Sequence, residues 1–271
     1  MALALLITLC CLDGAASGTP SRNPQGPAGR QQSGSPVRPR YMLWAWERPA
    51  DLGWIDIGRT GVAFLAGTVK VAPDRVSFRP RMQPLKVAAG AYAEAVVRIE
   101  IEPETRIEAW SELIERVAAY IENACQAETI KAVQIDFDAT TSQRPFYRAL
   151  MKRLRKDIAP ERALGMTALA SWCIGDRWLD DMPVSQVVPM LFRMGVDDRY
   201  VRSFLEGGGS LATTPGVQAM GFSIDELDAL DSALKGVSMP PSRRIYLFAP
   251  AGWNSKSARR EFSKIVAKIE S

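Results

Sequence analysis

The chain has 271 residues, 47% of them hydrophobic, with a mean hydropathy of −0.07 and a net charge of +4, a globular composition that can build one large core. The charge surplus sits in residues 1–40, where Arg22, Arg30, Arg38 and Arg40 face the single acid Asp13; the other 30 basic and 29 acidic residues nearly cancel, so no basic footprint points to nucleic acid. Histidine is absent, which excludes Ser-His-Asp and Cys-His catalysis, and the four cysteines lack the CxxC spacing of a zinc site.

Residues 1–18 begin with the apolar run from Met1 to Leu12, followed by Gly14, Ala15, Ala16, Ser17 and Gly18. This is the pattern of a secretory signal and its cleavage zone, without the usual preceding positive charge. The expectation is export, to the periplasm or outside the cell. Lipid attachment at Cys10 or Cys11 is a second reading, although the residues before them match a lipoprotein site poorly. Twelve apolar residues are too few to cross a bilayer as a helix, so no transmembrane span is expected in the mature chain. Residues 19–40 are rich in Pro, Gly, Ser and Arg and cannot bury enough surface to fold. They read as a disordered linker, with one folded domain over residues 41–271.

Apolar strand-like runs then alternate with helical spacing. The first three strands are Tyr41–Trp46, Val62–Thr68 and Ala95–Ile101. A helix follows, with Trp110, Leu113, Ile114, Val117, Ile121 and Ala124 at three- and four-residue intervals. The fourth strand is Ala132–Asp138, and the helix after it carries Phe146, Leu150, Leu154 and Ile158. The fifth is Leu164–Ala170, with a short helical turn around Trp178, and the sixth is Gln186–Phe192. A polar helix around Val201–Leu205 precedes the seventh strand, Val217–Phe222. Leu227, Leu230 and Leu234 mark the next helix, Arg244–Phe248 the eighth strand, and Phe262, Ile265, Val266 and Ile269 the last helix. Eight strands in this length predict an α/β fold of the (β/α)8 TIM-barrel type. A doubly wound open sheet gives the same alternation, but no glycine-rich phosphate loop supports nucleotide binding. Cys125 and Cys173 fall at opposite ends of such a barrel, so no disulfide is expected between them.

Strand four carries the clearest chemical pattern. Val133, Ile135 and Phe137 alternate with Gln134, Asp136 and Asp138, so the polar set lies on one face, pointing into the barrel and toward its mouth. Crowded carboxylates can divide acid and base roles by pushing their pKa values apart. Barrel active sites lie at strand C-terminal ends, which makes Asp138 and Asp136 the catalytic candidates. The alternative is a structural pair hydrogen-bonded to barrel backbone or to arginine. On strand three Arg98, Glu100 and Glu102 alternate with apolar residues, offering Glu100 as a further carboxylate and Arg98 as a partner inside the barrel. Trp46 and Glu47 end strand one, Trp172 follows strand five, Arg193 strand six and Trp253 strand eight. These residues, with Arg98 and Gln134, are the substrate-binding candidates, the flat aromatic faces being suited to sugar rings. Arg79 and Arg81, after strand two, are placed to meet an anionic or hydroxyl-rich group, or are loop charges.

The segments VQIDFDATTSQRPFYRALMKRLR, YMLWAWERP, RPRMQPL, TALASWCIGD and VVPMLFRMG resemble an uncharacterised bacterial family of barrel proteins. A more distant similarity is to the family 18 chitinase-like glycoside hydrolases, which carry DxxDxDxE at the end of strand four, Met-x-Tyr-Asp on strand six and a Trp after strand eight. Asp138 stands at the position of the proton-donating Glu, Asp136 and Gln134 at those of the two preceding Asp residues, and Lys131 at the first. Met190-Leu191-Phe192-Arg193 aligns with the strand-six motif and Trp253 with the late Trp. The resemblance implies a glycan substrate, whereas Asp138, Phe192 and Arg193 depart from the residues that serve substrate-assisted cleavage.

The expected function is therefore a glycan-acting hydrolase using Asp138 as general acid, with carbohydrate or cell-wall glycan as partner, no cofactor and a monomeric state. The rivals are a carbohydrate-binding barrel that has lost the catalytic Glu, and a divalent-metal hydrolase using Asp136, Asp138 and Glu100 as oxygen ligands.

Overall fold

Parallel strands covered on both faces read as nearly continuous apolar runs, and the longest run here behaves so. In the computed structural model, which describes residues 38–103, 105, 110–211 and 219–271, β3 (Thr60–Val71) follows β1 (Tyr41–Ala45) and the short β2 (Ala50–Leu52), and all of β3 except Lys70 is buried. The chain continues through β4 (Val76–Pro80), β5 (Leu85–Val87), β6 (Ala93–Ile101), α1 (Trp110–Ala124), β7 (Ile130–Asp136), α2 (Arg144–Asp157) and β8 (Ala163–Leu169). It ends with β9 (Gln186–Met190), α3 (Asp198–Glu206), β10 (Ala219–Ser223), α4 (Asp228–Gly236), β11 (Arg244–Phe248) and α5 (Lys256–Glu270). The segment expected to be a signal and most of the expected linker lie outside the described residues.

Eight of these strands close into a parallel barrel in the order β1, β3, β6, β7, β8, β9, β10, β11, with β11 pairing back onto β1. Helices pack outside it, so the fold is a (β/α)8 barrel of the TIM type, as the alternation predicts. Each helix buries one stripe: Val117, Ala118 and Ile121 of α1, and Phe146, Tyr147, Leu150, Met151 and Leu154 of α2. These pack on Val133, Ile135 and Phe137 in the outer core. A separate inner cluster, including Met42, Trp44, Val96, Val188 and Tyr246, fills the barrel itself.

The chain departs from regular barrel architecture in its first third. No helix joins β1 to β3 or β3 to β6. Instead β4 turns back antiparallel along β3, closed by hydrogen bonds between Ala72 and Arg75, and β5 pairs with β2 in a two-stranded accessory sheet. A 3-10 turn forms at Ala170–Cys173, and the turn expected around Trp178 is a separate tight turn closed by Asp180 N–H donating to the Arg177 carbonyl at 3.0 Å. Strand seven forms as β10; residues 217 and 218, where it was expected to begin, lie outside the described residues. Cys125 and Cys173 are both buried and free. Among the described residues no helix is long and apolar enough to cross a membrane.

Candidate functional site

The C-terminal ends of β6, β7 and β8 bring the acidic groups together. Strand alternation turns Gln134 and Asp136 inward from β7, Arg98 inward from β6 and Thr167 inward from β8. Gln134 is fully buried, and its Oε1 accepts from Trp44 Nε1 at 2.9 Å. One step higher, Asp136 is 4% exposed. Its Oδ1 accepts from Thr167 Oγ1 at 2.7 Å, and its Oδ2 lies 3.5 Å from Arg98 Nη1. Arg98 Nε donates to Glu100 Oε1 at 3.1 Å, and Glu100 reaches Lys70 Nζ at 3.5 Å. The strand ends at Asp136, two residues earlier than the sequence pattern predicts. Asp138 therefore sits on the following loop, exposed at the mouth.

Burial is the main reason that the Asp136 pKa rises from 3.8 to about 6; the Asp138 charge adds to it, while Arg98 and the Thr167 hydroxyl oppose it. Asp138 is also raised, by burial of its inner side, with Arg98 pulling against it. The Asp138 charge is one of the causes acting on Asp136, and Asp136 holds its proton to about pH 6. One group is sheltered and the other open, which is an arrangement able to hold a proton and deliver it.

Aromatic rings wall the mouth. Phe192 and Phe248 stack at 5.6 Å, Trp46 meets Phe248 edge-on at 6.3 Å, and Trp44 meets Phe192 at 6.0 Å. Arg193 has a left-handed backbone (φ 52°), and its guanidinium lies 5.4 Å from the Phe248 ring centroid. Its backbone N–H donates to Glu226 at 2.7 Å, which fixes that turn. Trp46, Arg98, Asp136, Asp138 and Phe248 all line a central cavity of about 270 Å³.

Three of the sequence candidates are engaged by protein partners, and two of them, Trp253 and Glu47, also line a cavity on the β1–β11 side of the mouth. Trp172 is buried in the outer core against Trp178, with Arg144 above it at 5.7 Å, and lines none of the mouth cavities described here. It lies on the 3-10 turn, where three residues per turn swing side chains away from the strand's alternation. Trp253 is fully buried and donates Nε1 to the Trp44 carbonyl at 2.9 Å, so its ring packs beneath the mouth as part of a cavity wall. Glu47 pairs with Arg79 at 2.8 Å. Arg79 belongs to β4, and Arg81, 7% exposed, spends its guanidinium on backbone carbonyls of Ala45, Trp46, Arg48 and Gln83. Neither arginine is a free loop charge.

Thr167 and Phe248 are site residues that the sequence pattern does not single out. The signal for Thr167 was present, since Gly165, Thr167 and Leu169 form the inward row of β8. Among the described residues no three acidic or cysteine side chains gather as a metal-binding group; Arg98 bridges Glu100 and Asp136.

Fold and site together define a (β/α)8 barrel with an acidic, aromatic-walled mouth. Residues 83–180 match the model of a domain of unknown function, DUF3142. That span contains β6, β7 and β8, and with them Arg98, Glu100, Asp136, Asp138 and Thr167, while Trp46, Arg193 and Phe248 lie outside it. No curated protein and no solved structure matches the chain.

Proposed function

We propose that this chain is an exported glycoside-hydrolase-like barrel acting on a polysaccharide or cell-wall glycan at its mouth. The observation that carries the reading is the Asp136–Asp138 pair, one carboxyl sheltered and one open, set among Trp46, Phe192 and Phe248. Aromatic rings present broad apolar faces to the C–H faces of sugars. Asp138, the open carboxyl, donates the proton to the leaving glycosidic oxygen as the C–O bond breaks, and water supplies the new hydroxyl. Asp136 keeps a proton available to the pair up to about pH 6, and Arg98 and Thr167 hold it in place. Glu100, tied to Arg98 and Lys70, is a rim carboxylate that orients Arg98.

The test is release of reducing ends from a panel of soluble polysaccharides by the parent chain and by Asp138→Asn. A fall of about 10²–10⁴ in turnover is expected, with an unchanged melting temperature. Unchanged turnover on a substrate that the parent cleaves removes Asp138 from the mechanism. Because Asp136 is protonated below about pH 6 and loses that proton above it, the proton supply to Asp138 fails and kcat/KM should decline as pH rises past that point.

The second reading is a carbohydrate-binding barrel without turnover. It is favoured by the Arg98 contacts, which hold Asp136 and Glu100 in ion pairs. Hydrolysis of any bound glycan by the parent chain sinks it. Export is part of the main proposal, and cell fractionation with N-terminal sequencing of the mature chain checks it.

A further inference from the structure

The central cavity does not stand alone. It shares Arg98, Asp136 and Asp138 with a cleft of about 760 Å³ on the β6–β7 side. On the opposite side it shares Trp44, Trp46, Arg193 and Phe248 with a cavity of about 530 Å³. Cavities with common wall residues adjoin, and the three lie in a row across the mouth, a trough in outline. Together the three exceed the ~1,000 Å³ upper end of ordinary small-molecule pockets. The two carboxyls stand between the central cavity and the larger cleft, away from either end of the trough.

The arms differ in chemistry. The arm on the β1–β11 side is walled by aromatic rings and Arg193. The opposite arm is bordered by Thr140, Ser142, Gln143 and Glu100, which offer hydroxyl, amide and carboxylate groups. Thr140 and Ser142 are exposed, and their hydroxyls lie 3.1 Å apart on the turn that leads into α2. Neither takes part in the proton chemistry at Asp136 and Asp138. A blind pocket accepts a chain end, whereas a trough with its reactive carboxyls in the middle accepts the interior of a chain.

We propose that the ligand is an extended glycan lying across the whole mouth, held by the aromatic arm on one side of Asp138 and by the Thr140–Ser142 arm on the other. The inference rests on the glycan reading of the site and adds to it polymeric substrates cut at internal linkages, with a second binding arm on the α2 entry turn.

Isothermal titration of the full chain carrying Asp138→Asn, which prevents turnover, tests it. The probes are dimers and hexamers of β-1,4-linked glucose, N-acetylglucosamine, mannose and xylose. For at least one sugar the hexamer should bind about tenfold or more tightly than its dimer. Adding Ser142→Trp, an exposed position where the larger ring fits the fold but fills the arm, should lower the hexamer affinity about tenfold, toward that of the dimer. Equal affinities of dimer and hexamer overturn the extended mode while leaving the glycan reading intact. So does a hexamer affinity that Ser142→Trp leaves unchanged with the melting temperature preserved. If none of the oligosaccharides binds, the glycan reading falls and the inference goes with it.

Discussion

The two ends of the barrel are built from the same kinds of residue and behave differently. At the N-terminal end Glu94 and Arg244 are buried, at 2% and 3% exposure. Tyr246 donates to Glu94 Oε2 at 2.8 Å, Arg244 donates to Gln186 at 2.8 Å and to the Pro39 carbonyl at 3.2 Å, and its guanidinium lies over the Tyr92 and Tyr246 rings. At the C-terminal end Asp136 meets Arg98 at 3.5 Å, and Asp138 stands open beside it. Burial raises the pKa of Glu94 as it does that of Asp136. An acid, an arginine and a perturbed pKa therefore do not by themselves mark a functional site. What separates the ends is access: one network is buried away from solvent, and the other leaves a carboxyl for something else to meet.

Breaking the closed end should have the largest effect. Arg244→Leu removes the stronger of the two arginine charges acting on Glu94, the other being Arg38, together with the Gln186 bond, and is expected to cost about 3–5 kcal/mol of stability in urea unfolding. A cost well below that would mean that the N-terminal network is no more structural than the mouth.

The open end should respond with the opposite sign. Because the folded-state pKa of Asp136 is raised to about 6, the folded chain binds the proton more tightly than the unfolded one. Stability is then fully present below the unfolded pKa and is lost as pH rises toward about 6. The shift corresponds to about 3 kcal/mol at most. Asp136→Asn should therefore stabilise the chain at pH 8 by about 1–3 kcal/mol, after loss of the Arg98 contact, and leave it nearly unchanged at pH 4. Melting curves at the two pH values check this, and a destabilised variant at pH 8 would make Asp136 a structural acid like Glu94.

Two glycines of the barrel interior sharpen the contrast further. A Cβ at Gly221 would lie 2.6 Å from the Trp44 ring, which is held by its bond to Gln134 and by Phe192 and Tyr246. Gly221→Ala should cost about 1–3 kcal/mol through overpacking under the mouth. A Cβ at Gly165 meets nothing closer than 3.4 Å. Gly165→Ala should stabilise by about 0.4–1 kcal/mol, by restricting the unfolded chain. Paired denaturation midpoints read both.

The eight barrel strands were legible because each is a largely apolar run, aliphatic or aromatic, of the kind that is covered on both faces. The segments β2, β4 and β5 were not. Two of them have three residues each, and β4 carries Arg79 and ends in Pro80, a composition that reads as loop. The carboxyl pair was legible from the alternation in Val133 to Asp138. Its counterpart is hidden because the apolar run of strand three begins at Ala95, one residue after Glu94, although Glu94, Val96 and Arg98 keep the same inward row. The aromatic wall was half legible. Trp46 follows its strand directly, but nothing in the sequence reveals that the 3-10 turn carries Trp172 outward or that Trp253 is pulled under the Trp44 carbonyl.

Arg81 gives the mouth one more property. By donating to the carbonyls of Ala45 and Trp46 and onward to Arg48, it splints the turn that carries the Trp46 ring. Ordering a loop and its side chains on binding subtracts directly from affinity, and here that ordering is completed during folding. A ligand entering the trough meets a wall already standing, so association should be a rigid docking event with little change in backbone shape between free and bound chains.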